Sequence, residues 1–262
     1  MSRKLGLLGL VLCSAMLYLQ AQSTDSLIQY WEVSIGEVRA TSLPEVSEAF
    51  IDEALRSTSN PSVRGAIYMA KINLVYDHPD YYKKGLYAAD SAAEIFEELG
   101  DKKGIAAAYF SRVSIMVEAL DYDSTDFYLN KIEQYCREVD SRGGLADVEF
   151  KRGTIAYYQS NYAKAQAYYY EALRLYEMIG NNSGMVSCFY ELGELLYNCC
   201  QNYEEAKKQY EKALEIYPQT IDKPTIFFAQ ILNRLGSIAQ YDVQKDLKKG
   251  LDYHYQALDI IE

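Results

Sequence analysis

Apolar and small residues return along this chain at spacings of three, four and three. Tyr162, Ala165, Tyr169 and Ala172 form one such set. Tyr203, Ala206, Tyr210 and Ala213 form a second, followed by Pro218. Fainter sets are Tyr122, Thr125, Leu129 and Ile132; Tyr82, Gly85, Ala89 and Ala92; and Leu247, Gly250, His254 and Ala257. Leu43, Val46 and Phe50 open the series. Such spacings place the residues on one face of a helix, and a small residue in the stripe lets a neighbouring helix come close. The short residue falls at 46, 85, 125, 165, 206 and 250, so the stripe recurs about every forty residues. Recurrence at a fixed interval of that size predicts a helical repeat array.

A second helical stretch precedes each stripe: Gly65–Val75, Gly104–Ala119, Ala146–Gln159, Met185–Cys199 and Thr225–Tyr241. Three of these carry a glycine at the same place, in Arg152-Gly153, Leu192-Gly193 and Leu235-Gly236. Glycine inside a helix costs ~1 kcal/mol relative to alanine. Its recurrence predicts a close packing contact that compensates. Leu99–Gly104 and Ile179–Gly184, each with glycine at both ends of a polar run, read as extended turns between helices. No helix pair of this kind buries its apolar face alone, so the pairs stack. The expected fold is all-α, an α-solenoid of stacked antiparallel helix pairs.

These residues resemble the tetratricopeptide repeat family, whose pattern runs from an apolar residue and Leu-Gly to an aromatic-x-x-Ala-x-x-x-aromatic-x-x-Ala stripe and a terminal Pro. Phe189, Leu192-Gly193, Tyr203, Ala206, Tyr210, Ala213 and Pro218 carry that pattern most fully. The resemblance extends over residues 24–262 as about six repeats, the first and last divergent. The repeat of about forty residues exceeds the family's standard 34. Membership implies a right-handed superhelix whose concave groove is lined by the first helix of each pair and binds peptides or partner helices.

Alignment on the glycine of each first helix transfers the groove positions. They fall on Asp147, Phe150, Thr154, Tyr157 and Tyr158, then on Ser187, Tyr190, Glu194, Tyr197 and Asn198. Gln230, Asn233, Ser237, Gln240 and Tyr241 follow, and the earlier repeat offers Ala107, Phe110, Ser114, Val117 and Glu118. The candidate partner-binding residues are Phe110, Phe150, Tyr157, Tyr158, Tyr190, Glu194, Tyr197, Asn198, Asn233 and Tyr241. Aromatic rings supply area and the polar groups fix orientation. With no Lys or Arg at the matching positions, the family's clamp for a C-terminal carboxylate is not expected. The stripe tyrosines, Tyr162, Tyr169, Tyr203 and Tyr210 among them, read as packing residues. Tyr157, Tyr158, Tyr190 and Tyr197 fit either a binding surface or burial between helices.

Residues 1–23 differ from the rest. Arg3 and Lys4 precede an apolar run, Leu5–Leu19, that carries no charge, and small residues follow at Ala21 and Ser23. This is the layout of a secretory signal peptide. Fifteen helical residues span roughly 22 Å, short of the ~30 Å hydrocarbon core. Cleavage after Ser23 or after Ala21 both fit. An uncleaved anchor, or a lipoprotein modified at Cys13, are the competing readings, the latter opposed by Leu12 where a small residue is wanted. No later stretch is long and apolar enough to span a bilayer. The expected location is outside the cytoplasm: periplasmic, secreted or tethered to the envelope.

Composition narrows the chemistry. With 26 Lys+Arg against 37 Asp+Glu, the formal net charge is −11. That opposes binding to nucleic acid, which needs clustered cations. Two histidines leave little for a metal site or a catalytic triad. His78, in Asp77-His78-Pro79-Asp80, reads as a turn residue, and His254 as a stripe residue. Cys136, Cys188, Cys199 and Cys200 read mainly as small apolar residues, although an exported protein permits disulfides. No catalytic or phosphate-binding motif stands out. The expected function is a non-enzymatic interaction scaffold without cofactor or metal. The alternative is the extracytoplasmic sensory portion of a larger membrane signalling or transcription-regulatory protein. Ala257–Glu262 ends on a stripe helix with no polar capping helix after it, which opens that end to self-association or to a continuation of the array.

Overall fold

Two adjacent residues set most helix boundaries in this protein. Gly100 and Gly180 adopt the left-handed conformation, with φ of 68° and 67°. Each is followed by a side chain that caps the next helix. Asp101 accepts from the backbone N–H groups of Lys103 and Gly104, and Asn181 from that of Gly184. Ser160-Asn161 and Gln201-Asn202 do the same, the asparagines accepting from Lys164 and Glu205. The chain also closes back on the helix it leaves, with Asp101 N–H donating to Phe96 O at 2.9 Å and Asn161 N–H to Ala156 O at 2.8 Å. One left-handed residue and one cap thus turn the chain between helices in minimal length.

The computed structural model describes residues 24–25, 28–29, 44–73, 82–217, 226–241 and 247–261. The signal-peptide segment, His78 and Pro218 lie outside them. The chain divides into two compact units, Met1–Val139 and Asp140–Glu262. The first holds α1 (Pro44–Ser57), α2 (Pro61–Ile72), α3 (Tyr82–Leu99), α4 (Lys102–Glu118) and α5 (Thr125–Glu138). The second holds α6 (Arg142–Tyr158), α7 (Tyr162–Ile179), α8 (Asn182–Asn198), α9 (Tyr203–Ile216), α10 (Ile226–Tyr241) and α11 (Leu247–Ile261). No strand occurs among the described residues. Within each unit, helices consecutive in the chain pack on one another.

The expected extended turns are a correction. Between α3 and α4 only Gly100 and Asp101 lie outside helix, and between α7 and α8 only Gly180 and Asn181. Gly104 and Gly184 are third residues of their helices. A Cβ at either would stand 2.5 Å from an aromatic carbon, of Phe96 or of Tyr176 respectively. A glycine that looks like a chain breaker is here a seat for a ring.

The same device builds the repeat interior. A Cβ on Gly193 would lie 2.6 Å from Tyr210, and one on Gly236 would lie 2.8 Å from the His254 ring. The compensation expected for helix-interior glycine is thus an aromatic ring from the stripe helix. In the second unit, Leu173, Tyr176, Val186, Phe189, Tyr210, Ile231 and Leu235 share one core that runs from α7 to α10. In the first, Ile72, Ala88, Ala89 and Ile115 join α2, α3 and α4. Cys136 and Cys188 are buried as small apolar residues, whereas Cys199 is half-buried and Cys200 exposed; none of the four forms a disulfide. No helix among the described residues is long and apolar enough to cross a membrane.

Candidate functional site

α8 carries Tyr190, Glu194, Tyr197 and Asn198 at helical spacing, so the four share a face. Glu194 organises it. Its carboxylate accepts from Tyr210 Oη at 2.6 Å, from Arg234 Nη2 at 2.7 Å and from Asn198 Nδ2 at 3.0 Å. These donors come from α9, α10 and the last turn of α8, so one acidic side chain ties three helices. The Arg234 guanidinium also stands 5.5 Å from the centre of the Tyr197 ring. The carboxylate fixes the guanidinium, and the guanidinium in turn packs on the tyrosine ring.

Aromatic partners fill the rest of the face. Tyr190 meets Tyr210 at 5.9 Å and Phe227 of α10 at 4.9 Å between ring centres. Tyr197 makes an edge contact with Tyr203 at 5.2 Å. On α6, Phe150 leans on Tyr169 at 5.6 Å. Tyr157 meets Tyr158 and Tyr162 edge-on at 5.8 and 5.9 Å. Burial, the charge of Cys199 and hydrogen bonding to it push Tyr157 up to about 12, with Asn198 opposing the shift. Tyr157 therefore reaches from α6 to the end of α8. Tyr158 and Asn198 are exposed, while Phe150, Tyr157, Tyr190, Glu194 and Tyr197 are half-buried.

On α10, Asn233 Oδ1 lies 3.0 Å from His254 Nδ1, and Gln240 Nε2 lies 3.1 Å from His254 Nε2. His254 is thus both a packing ring against Gly236 and a polar tie between α10 and α11. Tyr241 ends α10, and its side chain lies outside the described residues. Phe110 sits half-buried on α4 in the first unit. The residues brought together are Tyr157, Tyr190, Glu194, Tyr197 and Asn198, with Asn233 on the adjoining helix.

Two carboxylates on α6 and α8 are held above the usual carboxylate range, although Glu191 is half-buried and Asp147 keeps much of its surface exposed. Burial, then the charge of Glu194, push Glu191 up to about 7, while Tyr169 and Lys151 pull the other way. Burial also raises Asp147, whose carboxylate accepts from Tyr176 Oη. The phenols of Tyr210 and Tyr176 are raised in turn by burial and by their carboxylate partners. At neutral pH they act as hydrogen-bond donors.

Arg234 and Phe227 were not legible as members of this face. Arg234 stands forty residues, about one repeat, after Glu194, and that offset was the available clue. The guanidinium is occupied by Glu194, so it is no bare receptor for a carboxylate. Chemically, the face offers ring edges, amides and a shielded ion pair, which suits a ligand with apolar side chains and backbone amide groups.

Residues 144–219 match the tetratricopeptide repeat family. No curated protein sequence matches the chain. Several solved structures are similar to it in fold. BtubC from P. vanneervenii superposes with a TM-score of 0.65 at 17% identity, over 92% of both chains. A Rap protein complexed with Competence and Sporulation Factor gives 0.67 at 14% identity, over 93% of this chain and 68% of that one. A signal transduction ATPase with numerous domains and a tetratricopeptide repeat sensor, from Pyrococcus horikoshii, gives 0.68 at 14% identity. This chain is 88% covered there but spans only 36% of the ATPase.

Proposed function

We propose that this protein is a long-period tetratricopeptide repeat scaffold, not an enzyme, that binds a peptide or a partner helix across α6, α8 and α10. The observation that carries the reading is the half-buried tyrosine face of Tyr157, Tyr190 and Tyr197, held rigid by the Glu194–Arg234–Tyr210 network. Ordered rings with accessible area bind at low entropic cost. A similar fold in complex with Competence and Sporulation Factor supports this use of the architecture. The reading includes export through residues 1–23, so that the partner is met outside the cytoplasm.

The test is selection of peptides from a displayed library on the purified protein, followed by calorimetric titration of the best binder. A variant with Tyr157, Tyr158, Tyr190 and Tyr197 all changed to Ala should lose at least tenfold in affinity while keeping its helical circular dichroism, because buried aromatic anchors dominate such interfaces. Equal binding by both proteins would remove the groove from consideration. For export, N-terminal sequencing of the mature product should begin at Thr24 or Gln22.

A second reading, the sensory portion of a larger signalling protein, is favoured by the likeness to the tetratricopeptide repeat sensor of the Pyrococcus ATPase. A full-length transcript that joins this array to an output region would decide for it.

A further inference from the structure

Three stripe helices of the second unit present a ring at the same place. Tyr169, Tyr210 and His254 are each the eighth residue of their helix, α7, α9 and α11. Each ring seats on a glycine of the preceding helix, Gly153, Gly193 and Gly236 respectively. The polar tip of each ring then meets groove positions. Tyr169 and Thr154 are hydrogen-bonded, and Tyr210 donates to Glu194. His254 meets Asn233 and Gln240. The two phenols, raised by burial, keep their protons at any physiological pH. Histidine is the side chain whose charge ordinarily changes between pH 5 and 8, and it has two ring nitrogens whose roles can exchange.

The atoms facing His254 fix where its hydrogen lies. Gln240 Nε2 has only hydrogens to give and lies 3.1 Å from His254 Nε2, which therefore accepts. The neutral imidazole then carries its hydrogen on Nδ1, which donates to Asn233 Oδ1 at 3.0 Å. The other two amide atoms, Asn233 Nδ2 and Gln240 Oε1, have no partner among the described residues. Asn233 is half-buried and Gln240 exposed. They offer one donor and one acceptor, two helical turns or roughly 10.5 Å apart along α10. An extended peptide has unpaired N–H and C=O groups to meet both, whereas a helix uses its own internally. Both partners of the imidazole are neutral. The one charge on α10, Arg234, is held by Glu194. On α11, Lys249 Nζ lies 5.7 Å from the centre of the Tyr253 ring, and Asp252 accepts from Gln256.

We infer that His254 is a positioning residue of the groove: it orients the Asn233 and Gln240 amides so that α10 holds the backbone of an extended peptide, and its protonation turns Gln240 over and loosens that hold. The inference rests on the reading that the ligand lies across α10. Protonation adds a hydrogen at Nε2, which faces the Gln240 amide nitrogen. Donor then meets donor, so the amide turns to offer Oε1 to the imidazolium and Nε2 swings outward. α10 now shows the peptide two donors. The backbone N–H that Gln240 had accepted is left unpaired, and loss of one such bond weakens binding by roughly fivefold.

The probe is a peptide selected at pH 8, free of Asp, Glu and His and blocked at both ends. Calorimetry should show the parent weaken by roughly fivefold from pH 8 to pH 5. His254→Phe keeps a ring over Gly236 without either hydrogen bond, and Gln240→Ala removes an exposed acceptor. Both should bind more weakly than the parent at pH 8 and lose its response to pH. Glu191, pushed up to about 7, titrates in the same window, so every protein in the series carries Glu191→Gln. In the free protein at pH 8, imidazole nitrogen NMR should find the hydrogen of His254 on Nδ1, the signal being the one missing from His254→Phe. A hydrogen on Nε2 overturns the inference, and so does a variant that keeps the parent's pH response while circular dichroism shows it folded. Binding indifferent to Tyr157, Tyr158, Tyr190 and Tyr197 fails the groove reading and this inference with it. Binding that needs those tyrosines but ignores His254 and Gln240 fails this inference alone.

Discussion

Gly153 and Tyr169 share one volume: a Cβ on Gly153 would stand 2.6 Å from both Cδ1 and Cε1 of the Tyr169 ring. The relation recurs with Gly193 and Tyr210. At the corresponding place in the first unit, Val113 of α4 and Leu129 of α5 are both fully buried. Bulk on the stripe helix is thus traded against bulk on the helix it faces. Gly153→Ala should lower stability by about 2 kcal/mol, although alanine is the better helix former by ~1 kcal/mol. Gly153→Ala with Tyr169→Leu should recover part of the loss. Chemical denaturation of the three proteins checks it, and a Gly153→Ala protein as stable as the parent would show that the ring yields.

Glu191 makes stability depend on pH. Its folded-state value of about 7 lies above the ordinary 4.5, so the folded protein binds this proton more tightly than the unfolded chain. Stability from this group is therefore full below about 4.5 and is lost as pH rises toward 7. Above 7 the dependence levels off. Glu191→Gln should flatten this slope and raise stability at pH 8 by about 2 kcal/mol. Thermal denaturation at pH 5 and pH 8 reads both effects, and an unchanged slope would refute the assignment.

Ser160 and Gln201 hold left-handed φ of 61° and 51° at positions where Gly100 and Gly180 stand in other turns. A side chain in that conformation costs roughly 1–2 kcal/mol, part of which glycine gives back through unfolded-chain entropy. Gln201→Gly should therefore stabilise by about 0.5–1 kcal/mol. Gly180→Ala should destabilise by a similar amount. Denaturant midpoints compared at constant slope would show the opposite signs.

Glu194→Ala should cost about 2 kcal/mol, because Tyr210 Oη is left in the interior without its acceptor. Glu194→Gln keeps an acceptor and should cost less. If peptide binding uses this face, both variants should weaken it, since Arg234 then loses its anchor beneath Tyr197. Calorimetry with a selected peptide, beside a denaturation curve for each variant, separates the two effects.

The spacing of apolar and small residues was enough to establish helix pairs, the stripe and the repeated glycine, because helical periodicity is a local property of sequence. Helix starts were harder to read. α4 begins two residues before Gly104 and α8 three residues before Met185, since the caps Asp101 and Asn181, not the apolar pattern, decide the first turn. Gly104 and Gly184 looked like breakers because nothing local distinguishes a glycine that ends a helix from one that admits a ring. The choice depends on Phe96 and Tyr176, which only packing brings to those positions. For the candidate face, helical register by itself placed Tyr190, Glu194, Tyr197 and Asn198 together on α8. The tertiary structure decided that Glu194 is a hub. Its ligand Arg234 lies forty residues away, and α8, α9 and α10 meet around one carboxylate only when the repeats stack. Local spacing determines which residues share a helix face; the packing of helices far apart in sequence determines which of those faces hold each other.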